Sequence, residues 1–357
     1  LPKEDGSAGE RNSLSCGGLE EKMGIHGNAT CVMNYDGAKG WLVGEMHKGM
    51  RAMFTMMNEA RLGVGLQGYA QAEAAYQNAL DYARDRLQGR DITGEQNPTG
   101  PADPIIVHPD VRRMLLEQKA FNEGARALLF EATVLADLSL HHPDEEARKQ
   151  SEDQLSLLTP VLKGFFTDIG FKNTVNAQQI FGGHGYIAEH GMEQFVRDAR
   201  ISMIYEGANG IQALDLVGRK LGLNAGQTFI DYIKAARELL IECESDDTLK
   251  ELVPNVRASV DRLEAGFNWF MANAFTNFDH AGAGAVDFMH MFGLTALGLT
   301  WMKMARIAVQ HKGDAFYDTK VTTARFFVTR MLPDTAAHLE KIKSGADTLM
   351  ALDAELF

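Results

Sequence analysis

What the chain lacks narrows its reading first. It has three cysteines in 357 residues, Cys16, Cys31 and Cys243. They are odd in number and far apart, with no metal-ligand spacing, which argues against a disulfide framework or structural zinc site and for a reducing compartment. Positive charge is scarce too. Against 48 Asp and Glu stand 35 Lys and Arg, a formal net charge of -13, so neither nucleic acid nor an anionic membrane is an expected partner. Long hydrophobic runs are missing. The longest, residues 288 to 304, contains His290 and Lys303 and falls short of the ~20 apolar residues of a membrane span, so it reads as a buried helix. Internal repeats and low-complexity tracts are absent. A start methionine is absent as well: the chain opens at Leu1 in a polar, glycine-bearing loop pattern, is expected to be a fragment, and carries no readable targeting signal.

What is present is mostly helical periodicity. Residues 1–44 are glycine-rich, with β-prone runs at 30–35 and 40–43 separated by the turn signal Asp36-Gly37, as in the tail of a β-domain. From Met46 the apolar residues recur at helical spacing. Helices are expected at about 49–88, 108–141, 151–180, 191–204 and 209–220, with breaks at the Asn97–Pro101 segment, at His142-Pro143 and at Phe181-Gly182-Gly183. Further helices are expected at about 226–243, 247–276, 281–312 and 318–352. Long helices joined by short loops bury their apolar stripes on one another. The fold expected is therefore mainly α: a β-domain tail at 1–44, a four-helix-type bundle at 45–221 and a second helical domain at 222–357. Met46, Met50, Met53, Met56 and Met57 read as adaptable core residues or pocket lining.

One carboxylate stands at a break between two helical patterns. Upstream of Glu206, the residues Phe195, Ala199, Ile201 and Ile204 share a spacing; downstream, Ile211, Leu214, Leu216 and Val217 do the same, with Gly207 and Gly210 between. Glycine lets backbone approach a ligand closely. A carboxylate set against Tyr205 and apolar neighbours loses hydration, which suits it to accept a proton. Spacing alone favours a solvated glutamate at a helix end.

The wording of the segment carries more than its spacing. The run from Arg197 to Leu221, with Tyr205-Glu206-Gly207 at its centre, resembles the catalytic-glutamate signature of the acyl-CoA dehydrogenases. Asn58-Glu59-Ala60-Arg61 followed by Gly63, Gly65 and Gly68 resembles the start of that family's first C-terminal bundle helix, and Tyr82 to Arg86 its end. Gln178-Gln179-Ile180-Phe181-Gly182-Gly183-His184-Gly185-Tyr186 is similar to its flavin-binding turn. The resemblance runs from about Gly24 to Leu221 and is carried by four ordered motifs, and the helical block after Gly222 resembles the extra domain of the family's longer members.

The resemblance implies FAD-dependent α,β-dehydrogenation of an acyl-CoA thioester, with Glu206 as base and hydride passing to flavin N5. Its implied acyl groups are fatty chains or methylthiopropanoyl. By the same resemblance Tyr205, Arg61 and Gly207 line the substrate site, Arg86 reaches the FAD diphosphate of a neighbouring subunit, and Gln179, Gly182, Gly183, Ala208 and Gly210 lie along the flavin. It further implies an electron-transferring flavoprotein as acceptor, a homodimer or higher oligomer, and a bacterial cytoplasmic setting. No metal is implied. Some members carry the base at the position of Ala60; here Glu59 is one residue and about 100° of helix away, so Glu206 has no rival. Three positions depart from the family pattern: Ala208 for Thr, Gln88 for an aromatic residue, and His184 for Asn. The first two remove expected flavin contacts, and His184 reads as a loop residue. Acyl-CoA oxidase activity and a non-catalytic helical scaffold are the alternatives. His141, His142 and His290 read as capping or core histidines, and the block 222–357 is expected to contribute no proton-transfer residue.

Overall fold

Helical periodicity produces helices nearly throughout the computed structural model, which describes residues 1–274 and 276–357, and at Asn58 the backbone alone. Phe275, inside the expected helix at 247–276, and the side chain of Asn58 in the motif above lie outside the described residues. The chain forms two units, Leu1–Glu59 and Ala60–Phe357.

In the first unit, β1 (Leu14–Leu19) pairs antiparallel with β2 (Cys31–Tyr35), Leu14 opposite Tyr35 and Leu19 opposite Cys31, with a bulge between Cys16 and Gly18. The expected strand at 40–43 is irregular instead; β2 takes residues 14–19 as its partner. α1 (Gly49–Asp85) begins in this unit. Met46, Met50, Met53 and Met56 are exposed rather than core, because a two-stranded sheet offers a first-unit helix no core to enter.

In the second unit, α1 continues beside α2 (Pro109–His141) and α3 (Glu145–Ile180). Asp144 caps α3, its side chain accepting from the Glu146 N–H. Glycine sets the approach of α1 to α3. A methyl group on Gly68 would lie 2.8 Å from Thr167 Cα and 2.9 Å from the Phe166 carbonyl oxygen, so the two backbones touch where side chains would normally intervene. Next come α4 (Met192–Arg200), a 3-10 turn at Ile201–Met203, and α5 (Asn209–Asp215), whose end widens into a π turn at Leu216–Lys220.

The remaining helices are α6 (Gln227–Cys243), α7 (Asp247–Lys250), α8 (Val253–Asn273), α9 (Phe278–Ala308), α10 (Ala315–Arg330), α11 (Asp334–Lys343) and α12 (Asp347–Met350). Two expected long helices are thus divided. Pro254 starts α8 anew, and Leu332-Pro333 separates α10 from α11, because proline removes a helical N–H and clashes with the preceding turn. α9 is apolar nearly all round. It buries Phe288, Met291, Phe292, Leu297 and Trp301, and the Trp301 indole N–H donates to the Ala120 carbonyl of α2 at 3.0 Å. One continuous core therefore joins α2 and α3 to α6, α8 and α9. Among the described residues no helix is long and apolar enough to cross a membrane.

Candidate active site

Glu206 sits between the 3-10 turn and α5 with φ +56°, and Gly207 follows at +88°. Left-handed backbone is rare for a side-chain-bearing residue, costs on the order of 1–3 kcal/mol, and persists only where its surroundings enforce it. The enforcing groups are visible. The Gln212 side-chain amide donates to the carbonyls of Glu206 (3.4 Å) and Gly207 (3.1 Å), and the Ala208 carbonyl accepts from the Ile211 and Gln212 N–H groups. The Tyr205 hydroxyl donates to Gln67 Oε1 on α1. Gly207 is required by its φ, and a methyl group there would also crowd Gln212 Nε2 at 2.6 Å.

Beneath the loop lies a buried polar floor. Arg61 Nη1 pairs with Asp215 Oδ2 at 3.4 Å, and Arg219 reaches the other Asp215 oxygen at 3.3 Å. Lys163, fully buried on α3, donates to Asn209 Oδ1 at 2.7 Å. Asn209 Nδ2 in turn donates to Asp168 Oδ1 (2.6 Å), Thr167 Oγ1 (2.8 Å) and the Gly164 carbonyl (3.1 Å). Burial pulls the Lys163 ammonium down to about 8, with Asp168 and Glu206 acting to retain its proton and Arg61 acting to expel it. Burial likewise pushes the Tyr205 phenol up; the Gln67 hydrogen bond opposes this and the Glu206 carboxylate adds to it. The loop thus joins a half-buried carboxylate and a phenol to a buried ammonium and a buried guanidinium.

A second group of expected residues lines a cavity of about 570 Å³: Arg86, Gly182 and Gly183, together with Tyr82, His108 and His184. Arg86 is exposed, Gly182 has φ +58°, and a methyl group on either glycine would meet open space. Asp103 holds the strap after α1 that carries Gln88 and Gly89, accepting from the Asp91, Gln96 and Asn97 N–H groups and pairing with Arg90. Those backbone N–H bonds, the Asp91 one foremost, hold its carboxyl below the usual range against the opposing effect of burial. A cavity with an exposed guanidinium and side-chain-free backbone suits a diphosphate.

The structure therefore groups Glu206, Tyr205, Gly207 and Arg61 in one place and Arg86, Gly182 and Gly183 in another. Ala208 is exposed on the Glu206 loop, Gly210 is exposed in the first turn of α5, and Gln179 is exposed on the last turn of α3. Ile204, Ile211 and Leu214, expected on apolar faces, are also exposed, whereas Leu216 and Val217 are buried. His184 does more than occupy a loop: its Nδ1 is 2.9 Å from the Tyr82 hydroxyl and its ring stacks on His190. The sequence reading missed Lys163, Asn209, Asp168 and Gln212. Lys163 had a usable signal, since a lone lysine inside Val161-Leu162-Lys163-Gly164-Phe165-Phe166 must be buried if that stretch is core.

Residues 47–221 match the family model of the acyl-CoA dehydrogenase C-terminal domain, and residues 227–353 that of the acetyl-CoA dehydrogenase C-terminal-like domain. The chain is 41% identical over 360 residues to 3-methylmercaptopropionyl-CoA dehydrogenase of Ruegeria pomeroyi, covering 98% of this chain and 60% of the relative. It is 32% identical over 375 residues to the broad-specificity linear acyl-CoA dehydrogenase FadE5 of Mycobacterium tuberculosis, covering 99% and 61%. The chain thus spans about 60% of the length of these curated relatives. Among solved structures, an acyl-CoA dehydrogenase from Bacillus anthracis complexed with FAD superposes with a TM-score of 0.77 at 21% identity, over 92% of this chain and 56% of that one. Caenorhabditis elegans ACDH-11 in complex with C11-CoA gives 0.76 at 20% identity, over 99% and 56%. These two similarities establish the fold.

Proposed function

The chain belongs to the acyl-CoA dehydrogenase family, and on that premise we propose that the protein oxidises an acyl-CoA thioester to the 2-enoyl-CoA with Glu206 as the base. The observation that carries this reading is the enforced left-handed bend at Glu206, since strain of that kind is retained where a side chain must be aimed. Glu206 takes the α-proton, and its backbone N–H donates to the thioester carbonyl, where negative charge grows as the proton leaves. Tyr205, held by Gln67, walls the site against water. Arg61 and Lys163 supply positive potential below the loop.

FAD is the proposed cofactor; when bound, it accepts the β-hydrogen as hydride. Arg86, Gly182 and Gly183 would hold its diphosphate, and their cavity fits that role in charge and in backbone access. By the family resemblance Arg86 completes the flavin site of a neighbouring subunit, so the proposed assembly is a homodimer or higher homo-oligomer. An electron-transferring flavoprotein is the proposed acceptor. The 41% identity over nearly the whole chain favours a short acyl group such as methylthiopropanoyl over a long fatty chain. Assay of the FAD-loaded protein against a panel of acyl-CoAs with a dye acceptor tests the reading: turnover with a short acyl-CoA is expected, and failure across the panel would contradict it.

A further inference from the structure

A polar chain runs from the Glu206 loop into the last helical block. Asn209 opens α5, three residues after Glu206, and its side chain is held by Lys163, Gly164, Thr167 and Asp168. Asp168 uses Oδ1 for Asn209; its other oxygen, Oδ2, lies 2.8 Å from Nε2 of His290 on α9. Phe165 meets the His290 ring edge-on at 5.4 Å, and the His338 ring of α11 lies 5.7 Å away. His338 Nδ1 is 2.7 Å from Asp287 Oδ1, which also faces Lys341 at 3.5 Å.

His290 is half-buried beside Met289 and Met291 of α9, and a polar group so placed costs stability unless a partner satisfies it. The partner is a carboxylate whose two oxygens face different elements, one the start of α5 and one α9. We propose that His290 is a positioning residue for the reaction: by holding Asp168 against Asn209 it fixes the start of α5 and hence the left-handed bend that aims Glu206. The C-terminal helical block thereby sets the geometry of the base, although it supplies no group to the substrate. The link to turnover rests on Glu206 being the base; the link to loop geometry does not.

The test uses the FAD-loaded protein with two variants, His290→Leu, which fills similar volume without a donor, and His290→Gln, which can still donate to Asp168. Amide hydrogen exchange is followed at residues 204–212, with Val253–Asn273 as the internal reference, alongside kcat and KM for an acyl-CoA. His290→Leu is expected to speed exchange at 204–212 by roughly tenfold or more, from loss of a hydrogen bond to a charged group, and to lower kcat similarly with KM little changed. His290→Gln should recover most of both, and the reference helix should not change in either. Unchanged exchange at 204–212 in His290→Leu, or equal loosening by Leu and Gln, would overturn the proposal. A loosened loop combined with full turnover in Glu206→Gln would leave the loop claim standing and remove Glu206 as the base.

Discussion

Replacing Lys163 with methionine separates two opposed effects at the centre of the site. The ammonium is fully buried, and its folded-state pKa of about 8 lies below the 10.5 of a free lysine. That difference amounts to about 3 kcal/mol of unfavourable charge burial, carried at any pH below about 8, where the amine is protonated in both folded and unfolded states. Methionine removes this burden but leaves Asn209 Oδ1 without its 2.7 Å donor, a loss of ~1–3 kcal/mol. The two nearly cancel at pH 7, so Lys163→Met is expected to lie within about 2 kcal/mol of the parent there. The pH dependence does not cancel. Between about 8 and 10.5 the folded parent has released its proton while the unfolded chain still holds it, so the parent gains on the variant by up to about 1.4 kcal/mol per pH unit. Urea unfolding of both proteins at pH 7, 8, 9 and 10 measures the difference. A stability difference that stays constant over this range, or moves the other way, would refute the account of Lys163 as a burial-depressed lysine.

Two further outcomes test the packing and the second group of residues. Gly68→Ala should destabilise by roughly 2 kcal/mol or more in thermal or urea unfolding, because its methyl group would press on the α3 backbone; Gly63→Ala, which meets nothing within 4 Å, should be neutral or gain up to ~1 kcal/mol from helix propensity. Arg86→Leu should weaken FAD binding by roughly 10- to 100-fold, the loss of a charge-assisted contact to a diphosphate. Equilibrium dialysis giving an unchanged FAD affinity would remove Arg86 from the cofactor site.

The helices were legible because their apolar periodicity is strong. Local competition was harder to read. Pro254 and Pro333 cut helices whose apolar pattern runs straight through them, and residues 40–43 had strand propensity but no strand partner. Glu206 was readable as a candidate from its motif, whereas its left-handed backbone was not, since a glycine follows that could have taken the whole turn. Least legible was the floor of the site. Asp168 and His290 stand 122 residues apart and Lys163 and Asn209 46 apart, and no spacing rule connects residues that meet only when α3, α5 and α9 pack together.

The central claim is that Glu206 removes the α-proton, and anaerobic stopped-flow mixing of FAD-loaded Glu206→Gln protein with a short acyl-CoA tests it most directly. The variant is expected to keep its FAD and bind the thioester, while flavin bleaching slows by ~10²- to 10⁴-fold, the usual contribution of a general base. Bleaching within a few-fold of the parent would contradict it.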